Sequence, residues 1–155
     1  PIVFIADEGR EEEVVVRLSR VGYDHTLGYL NGGIEAWKSA GKELETLKSI
    51  TAEAFAEDYK NKSITVVDVR KPGEYEAEHV ENAINSPLDF INDHMDDFNK
   101  DKEYYVHCAG GYRSVIMSSI LKSRGIHNLI DIAGGYKAIT DTAIPTTDFV
   151  CSSAK

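Results

Sequence analysis

The sequence is short of the residues that mark several protein classes. Its 155 residues hold two cysteines, Cys108 and Cys151, too few and too far apart for a disulfide framework or a CxxC-type zinc site. That scarcity predicts a reducing compartment, and the cytoplasm is the expected location. Positive charge is also scarce. Seventeen Lys and Arg against 26 Asp and Glu leave a net charge of -9 with no basic cluster, so neither nucleic acid nor an anionic membrane surface is expected as a partner. The apolar runs are of strand length, such as Ile2 to Ala6, which argues against a membrane-spanning helix, and no charged, apolar, small-residue series resembles a signal peptide. The five His residues are scattered and HxHxDH is absent, so no metal and no cofactor are expected. The chain opens at Pro1 without methionine and enters a strand at once, from which we expect a piece of a longer polypeptide.

What is present is a hydrophobic fraction of 42%, enough for the core of one ordinary domain plus a remnant. Ile2–Ile5 reads as a strand, followed by a helix with Val14, Leu18 and Val21 on one face and a stop at Gly22. Thr26–Leu30 reads as a second strand, Asn31-Gly32-Gly33 as a turn, and Ile34–Ala40 as a short helix. Polar residues then suggest a linker, assigned to 46–50, before a domain over 51–148 and a tail over 149–155. In that domain Thr51 caps a helix that buries Ala54, Phe55 and Tyr59, and Ile64–Val69 is a strand covered on both faces. There follow a helix from Pro72 to Glu78, a strand at Ala83–Ser86, a helix over Leu88–Phe98 with Ile91, Met95 and Phe98 inward, and a strand at Tyr104–His107. The last elements are a helix over Arg113–Arg124 with Ile116, Ile120 and Leu121 inward, a strand at Leu129–Ile132 and a helix over Tyr136–Thr140. Alternating strands and helices predict an α/β fold with a parallel sheet flanked by helices.

Self-comparison finds a repeat: residues 2–44 follow the pattern of 104–146 at an offset of 102 to 103, with Gly9 opposite Gly111, Gly22 opposite Gly125, and Gly32-Gly33 opposite Gly134-Gly135. Residues 1–45 therefore read as the second half of a degenerate domain of the same fold, whose first half is absent. Ala6 stands where Cys108 is and Glu11 where Arg113 is, so this copy has no nucleophile.

Cys108 follows directly on a predicted parallel strand and precedes a predicted helix, which places it at the carboxyl edge of the sheet. The loop Cys108-Ala109-Gly110-Gly111-Tyr112-Arg113 can turn its amides inward, and the helix amino terminus adds partial positive charge. Such a cradle lowers a thiol pKa and stabilises a persulfide, so Cys108 is the expected nucleophile, with Ala109, Gly110, Gly111, Tyr112 and Arg113 around the substrate. Arg113 would draw in anionic donors or orient the loop. Thiosulfate or a persulfide is the expected donor, and a thiol or cyanide the acceptor.

Two blocks of sequence resemble the rhodanese family. One is Asp68-Val69-Arg70 followed by Glu74-Tyr75, His79-Val80, Ala83 and Pro87. The other runs from Cys108 through Ser114, then Gly125 and Ala133-Gly134-Gly135-Tyr136. The resemblance implies a five-stranded parallel sheet and a sulfurtransferase in which Cys108 carries the persulfide. It also implies a hydrogen-bonding role for His79 that locks the loop, and a tandem arrangement of inactive and active copies, in some proteins behind a metallo-β-lactamase-fold domain. Glu78 and Glu81-Asn82 depart from the family's Gly and Pro-Gly, which affects a local turn. Asp68 and Arg70, at the end of the central strand, are expected as structural residues, explained by an Arg70–Glu74 ion pair and a helix cap, with a place at the border of the pocket as the alternative. Cys151 lies in a polar tail with nothing to activate it.

Two rivals remain. The His-Cys pair and the later arginine are similar to the HCx5R loop of cysteine phosphatases, but four residues separate Cys108 from Arg113, a narrower cradle better suited to one sulfur atom than to a phosphate. A non-catalytic interaction module is the other. Residues 1–44 are expected to expose a sheet edge or apolar face that packs on a missing domain of the parent chain or forms a homo-oligomer.

Overall fold

The computed structural model describes residues 1–150. They form two compact units, Pro1–Thr46 and a second that begins at Leu47. No helix among the described residues is long and apolar enough to cross a membrane.

The first unit has strand β1 (Ile2–Phe4), helix α1 (Glu11–Arg20), strand β2 (Thr26–Tyr29) and helix α2 (Gly33–Ser39). β1 and β2 pair in parallel, with a register irregularity after Ile2. None of its residues is fully buried.

The second unit is built on five strands: β3 (Lys48–Ile50), β4 (Val66–Asp68), β5 (Ile84–Asn85), β6 (Tyr104–His107) and β7 (Leu129–Ile132). They form one sheet in the order β3-β7-β6-β4-β5, every pair parallel. Parallel strands need crossovers, supplied by helices α3 (Ala52–Asn61), α4 (Pro72–Ala77) and α5 (Tyr112–Ser123) and, between β5 and β6, by 3₁₀ turns; helix α6 (Gly135–Ile139) follows β7. This is the expected α/β fold.

The core has two layers. On one face Phe55 and Ala52 of α3 meet Tyr105, Ile130, Ile132, Tyr136 and Ile139. On the other Met117 and Leu121 of α5 meet Val67, Tyr104, Val106 and Cys108. Alternate residues of β6 thus go to opposite faces, and the run is apolar from Tyr104 to Val106 because both faces are covered. Thr51 caps α3 by accepting a hydrogen bond from the Ala54 amide at 3.3 Å.

Four expectations need correction. Residues 46–50 are not a linker throughout, since Lys48–Ile50 is the outermost strand, paired with Ile130–Ile132. An edge strand is apolar on only part of its surface, so Lys48-Ser49-Ile50 carries no strong strand signal. Leu88–Phe98 is not one helix but two short 3₁₀ turns, Leu88–Phe90 and Met95–Asp97. The intervening Asn92-Asp93 and the further Asp residues compete locally for backbone hydrogen bonds, although Ile91 and Phe98 still turn inward. The buried stripe of α5 is Ser114, Met117, Ser118 and Leu121, with Ile116 and Ile120 only partly covered. Serines in the stripe hid the period. On α3 it is Ala52, not Ala54, that is buried with Phe55.

Phe55 is fully buried, with its ring 5.8 Å from that of Tyr105 and 6.0 Å from that of Tyr59. Phe55→Ala should destabilise the second unit by about 3–5 kcal/mol, through lost burial and a cavity between α3 and the sheet, as measured by urea unfolding.

Candidate active site

Cys108 is the residue after β6, and its chain enters α5 four residues later. Gly111 is the residue before that helix and takes a left-handed conformation, φ 98°, which turns its amide toward the sulfur. The Gly111 N–H donates to Cys108 Sγ at 3.1 Å. Ser114 fixes the turn by donating its hydroxyl to the Gly111 carbonyl at 3.1 Å. Burial pushes the Cys108 thiol up, but hydrogen bonding by the backbone and side chain of Ser114 and by the amides of Gly110 and Gly111 outweighs it, so the pKa lies below the ordinary 9.0. With 1% of its surface exposed, Cys108 sits at the floor of the loop, and only a slender reacting group can reach it.

The other wall is the start of α6. The Cys108 carbonyl accepts the Tyr136 amide at 2.6 Å, and the Ala109 carbonyl accepts the Lys137 amide at 3.1 Å. Gly135 makes this approach possible: its φ is +59°, and a Cβ there would collide with the Cys108 carbonyl oxygen and lie 2.9 Å from Ala109 C and O.

Arg113 forms a two-pronged pair with Glu74, at 2.6 and 2.8 Å. Glu74 also accepts the Lys71 amide at 3.1 Å, so it links the amino terminus of α4 to that of α5. Of the two roles read for Arg113, this geometry matches orientation of the loop, because the guanidinium is already committed to a carboxylate. The expected Arg70–Glu74 pair is replaced: Arg70 binds Asp68 at 2.6 Å, both being buried. Arg70 also donates to the Glu78 carbonyl at 2.7 Å and lies 3.9 Å from the Tyr136 ring centroid, a cation–π contact. His79 stacks on Tyr75 at 3.7 Å, and its Nδ1 lies 2.7 Å from the Tyr75 carbonyl. Its backbone joins Thr147, so the segments it braces are α4 and the stretch around Thr147, not the Cys108 loop. Asn82 accommodates the departure from Pro-Gly by adopting φ 60°. Tyr112 is exposed at the rim. Cys151 lies outside the described residues.

Sequence reasoning held Ser114 and Gly135 as letters of the family resemblance, without a role at the site, and of the cluster behind the loop it named Asp68 and Arg70 but gave no part to His107 or Tyr136. His107 points away from Cys108, as alternation along a strand requires, stacks on Tyr136 at 6.0 Å, and places Nε2 3.9 Å from Asp68. Burial pushes its pKa below the ordinary 6.5, against the pull of Asp68. The tyrosine after Gly134-Gly135 was the one available signal. No group of His, Cys, Asp and Glu suited to a metal ion occurs among the described residues.

These pKa changes set the acid limit of stability. His107 binds its proton less well folded than unfolded, so its contribution is complete above about pH 6.5 and declines below it. Hydrogen bonds from Arg113 hold Glu74 at about 2 against an ordinary 4.5, so its contribution declines as pH falls from about 4.5 toward 2. In urea midpoints measured from pH 8 to 3, His107→Gln should flatten the upper limb and Glu74→Gln the lower. Gly135→Ala should displace the loop and move the pH midpoint of Cys108 alkylation upward, and a midpoint about one pH unit higher leaves about tenfold less thiolate at neutral pH.

Comparison with known proteins agrees with this geometry. The Rhodanese-like domain model matches residues 51–142. The Bacillus subtilis protein YqhL is 30% identical over 91 residues, 59% of this chain and 71% of that protein. The tRNA sulfurtransferase of Thermoplasma acidophilum is 39% identical over 66 residues, 42% of this chain but only 13% of that protein. Among solved structures, a rhodanese-like domain protein from Staphylococcus aureus is 34% identical, with TM-score 0.59, covering 64% of this chain and 97% of its own. A rhodanese-related protein from Thermoplasma volcanium is 32% identical, with TM-score 0.58 and the same coverage of both chains. On the match across residues 51–142, the chain belongs to the rhodanese-like domain family.

Proposed function

We propose that the second unit is a sulfurtransferase in which Cys108 carries sulfane sulfur. The observation that carries this reading is the Gly111 N–H at 3.1 Å from Cys108 Sγ, in a loop that lowers the thiol pKa. The Cys108 thiolate attacks the outer sulfur of the donor. As the Cys108 S–S bond forms, the donor S–S bond breaks, and sulfite leaves from thiosulfate or a thiolate from a persulfide. The terminal persulfide sulfur of Cys108 carries the negative charge, which the loop amides and the amino terminus of α5 stabilise. An acceptor thiolate or cyanide then takes that sulfur, and the Cys108 thiolate is restored. Ala109, Gly110, Gly111 and Tyr112 surround the entering group, Arg113 holds the loop through Glu74, and Asp68, Arg70 and His79 support the surrounding chain. The cytoplasm, where thiol acceptors stay reduced, is the setting in which we place it.

We further propose that residues 1–45 are the second half of a degenerate copy of this fold in a tandem arrangement. The repeated order of strand, glycine loop, helix, strand, paired glycines and helix supports it.

Intact mass spectrometry after incubation with thiosulfate or glutathione persulfide tests the chemistry. A gain of about 32 Da, present in Cys151→Ser and absent in Cys108→Ser, is the expected outcome. No adduct from either donor, with Cys108 open to alkylation, would overturn the assignment in favour of a non-catalytic interaction module.

A further inference from the structure

Backbone geometry in the first unit follows that of β6-α5-β7-α6 at three of its glycine turns. Gly22 and Gly125 both have φ 88°, Gly32 and Gly134 have 76° and 78°, and Gly33 and Gly135 both have 59°. The chain returns after each longer helix in the same way, Tyr23 N–H to the Leu18 carbonyl and Ile126 N–H to the Leu121 carbonyl, both at 3.0 Å.

What differs is the covering. Val3, Ile5, Ile34 and Trp37 occupy the positions of Tyr105, His107, Tyr136 and Ile139 at the offset of 102. Those four counterparts are buried, whereas Val3 is 69% exposed against 2% for Tyr105, and Trp37 is 39% exposed against 0% for Ile139. In the second unit this face is covered by Phe55 and Ala52 of α3 and by Val66, Val80 and Ala83. The edge of β6 away from β7 is paired by β4. In the first unit β1 pairs, among the described residues, with β2 alone. Two parallel strands with an uncovered apolar face are not stable in water, because both the edge and the face must be filled.

We propose that β1 and the Val3–Ile5–Ile34–Trp37 face bind the complementary half of the same fold: a strand lying parallel to β1, as β4 lies to β6, with an apolar helix in the place of α3. This rests on the half-domain reading and is independent of sulfur transfer at Cys108. A second copy of this chain is the wrong occupant for two reasons. A twofold axis perpendicular to the sheet sets two β1 strands antiparallel, and one along the strands turns their apolar faces to opposite sides, while every strand pair in this fold is parallel. The one first half that each copy possesses, residues 47–102, already holds its own β6 and β7.

The test fuses a second copy of residues 47–102 ahead of Pro1 of the full chain, which reproduces the junction that precedes Tyr104. Trp37, the single tryptophan, reports on the face. In the parent chain as a monomer, acrylamide should quench Trp37 freely and the β1 and β2 amides should exchange fast. In the fusion, quenching should fall several-fold and those amides should slow by ~100-fold or more. Slow exchange in the monomeric parent, protection that rises with parent concentration, or a fusion with added helical signal but unchanged Trp37 would each overturn the proposal. Should the grafted half fail to fold, Val3→Asp in the parent decides: an unchanged unfolding midpoint and monomeric state support an uncovered face, and a loss of stability overturns it. Sulfur loading of Cys108, measured in the same samples, reports separately on the catalytic reading.

Discussion

The site depends on one backbone contact, the Tyr136 amide donating to the Cys108 carbonyl at 2.6 Å. A carbonyl held from outside the loop fixes the peptide plane that follows Cys108, and with it the direction in which the next amides point. Only a glycine at 135 lets the two segments come this close. The polarity of the cradle is therefore set by α6, an element some 25 residues further along the chain, as much as by the loop itself.

Behind that contact lies a buried layer of Asp68, Arg70, His107 and Tyr136. Asp68 and Arg70 satisfy each other, and Arg70 spends its remaining capacity on the Glu78 carbonyl and the Tyr136 ring. An ion pair so enclosed adds little net stability, but losing one partner leaves a bare charge against the strand that carries the nucleophile. Arg113 and Glu74 repeat the arrangement near the surface and join two helix amino termini. Both arginines near the site are thus neutralised by carboxylates of the same chain. The polar groups that converge on the sulfur are backbone amides and Ser114, not free cations.

Much of this was legible in the sequence because the signal was local. β6 and β7 were placed residue for residue, since buried parallel strands are mostly apolar, His107 and Asp131 being the polar exceptions. The Cys108 loop was legible from the conjunction of strand end, paired glycines and helix start. β3 was not, because an edge strand is identified by its partner Ile130–Ile132 and not by its own Lys-Ser-Ile. The partners of Arg70 and Arg113 were not either. Two arginines and two carboxylates lie within reach of one another, and which pairs form depends on where α4 and α5 come together. Ser114 and Ser118 are polar letters in a buried stripe, intelligible only once α5 is seen against the sheet.

The strand order also governs when the molecule can come into being. β3 is the first strand of its sheet to be synthesised, yet among the described residues it pairs with β7, the last, and Ser49 waits 82 residues for Asp131. A nascent chain emerging from the ribosome holds that edge unsatisfied until almost the whole domain is made. Such a long-range closure slows folding and delays completion of the sheet until the domain is nearly whole.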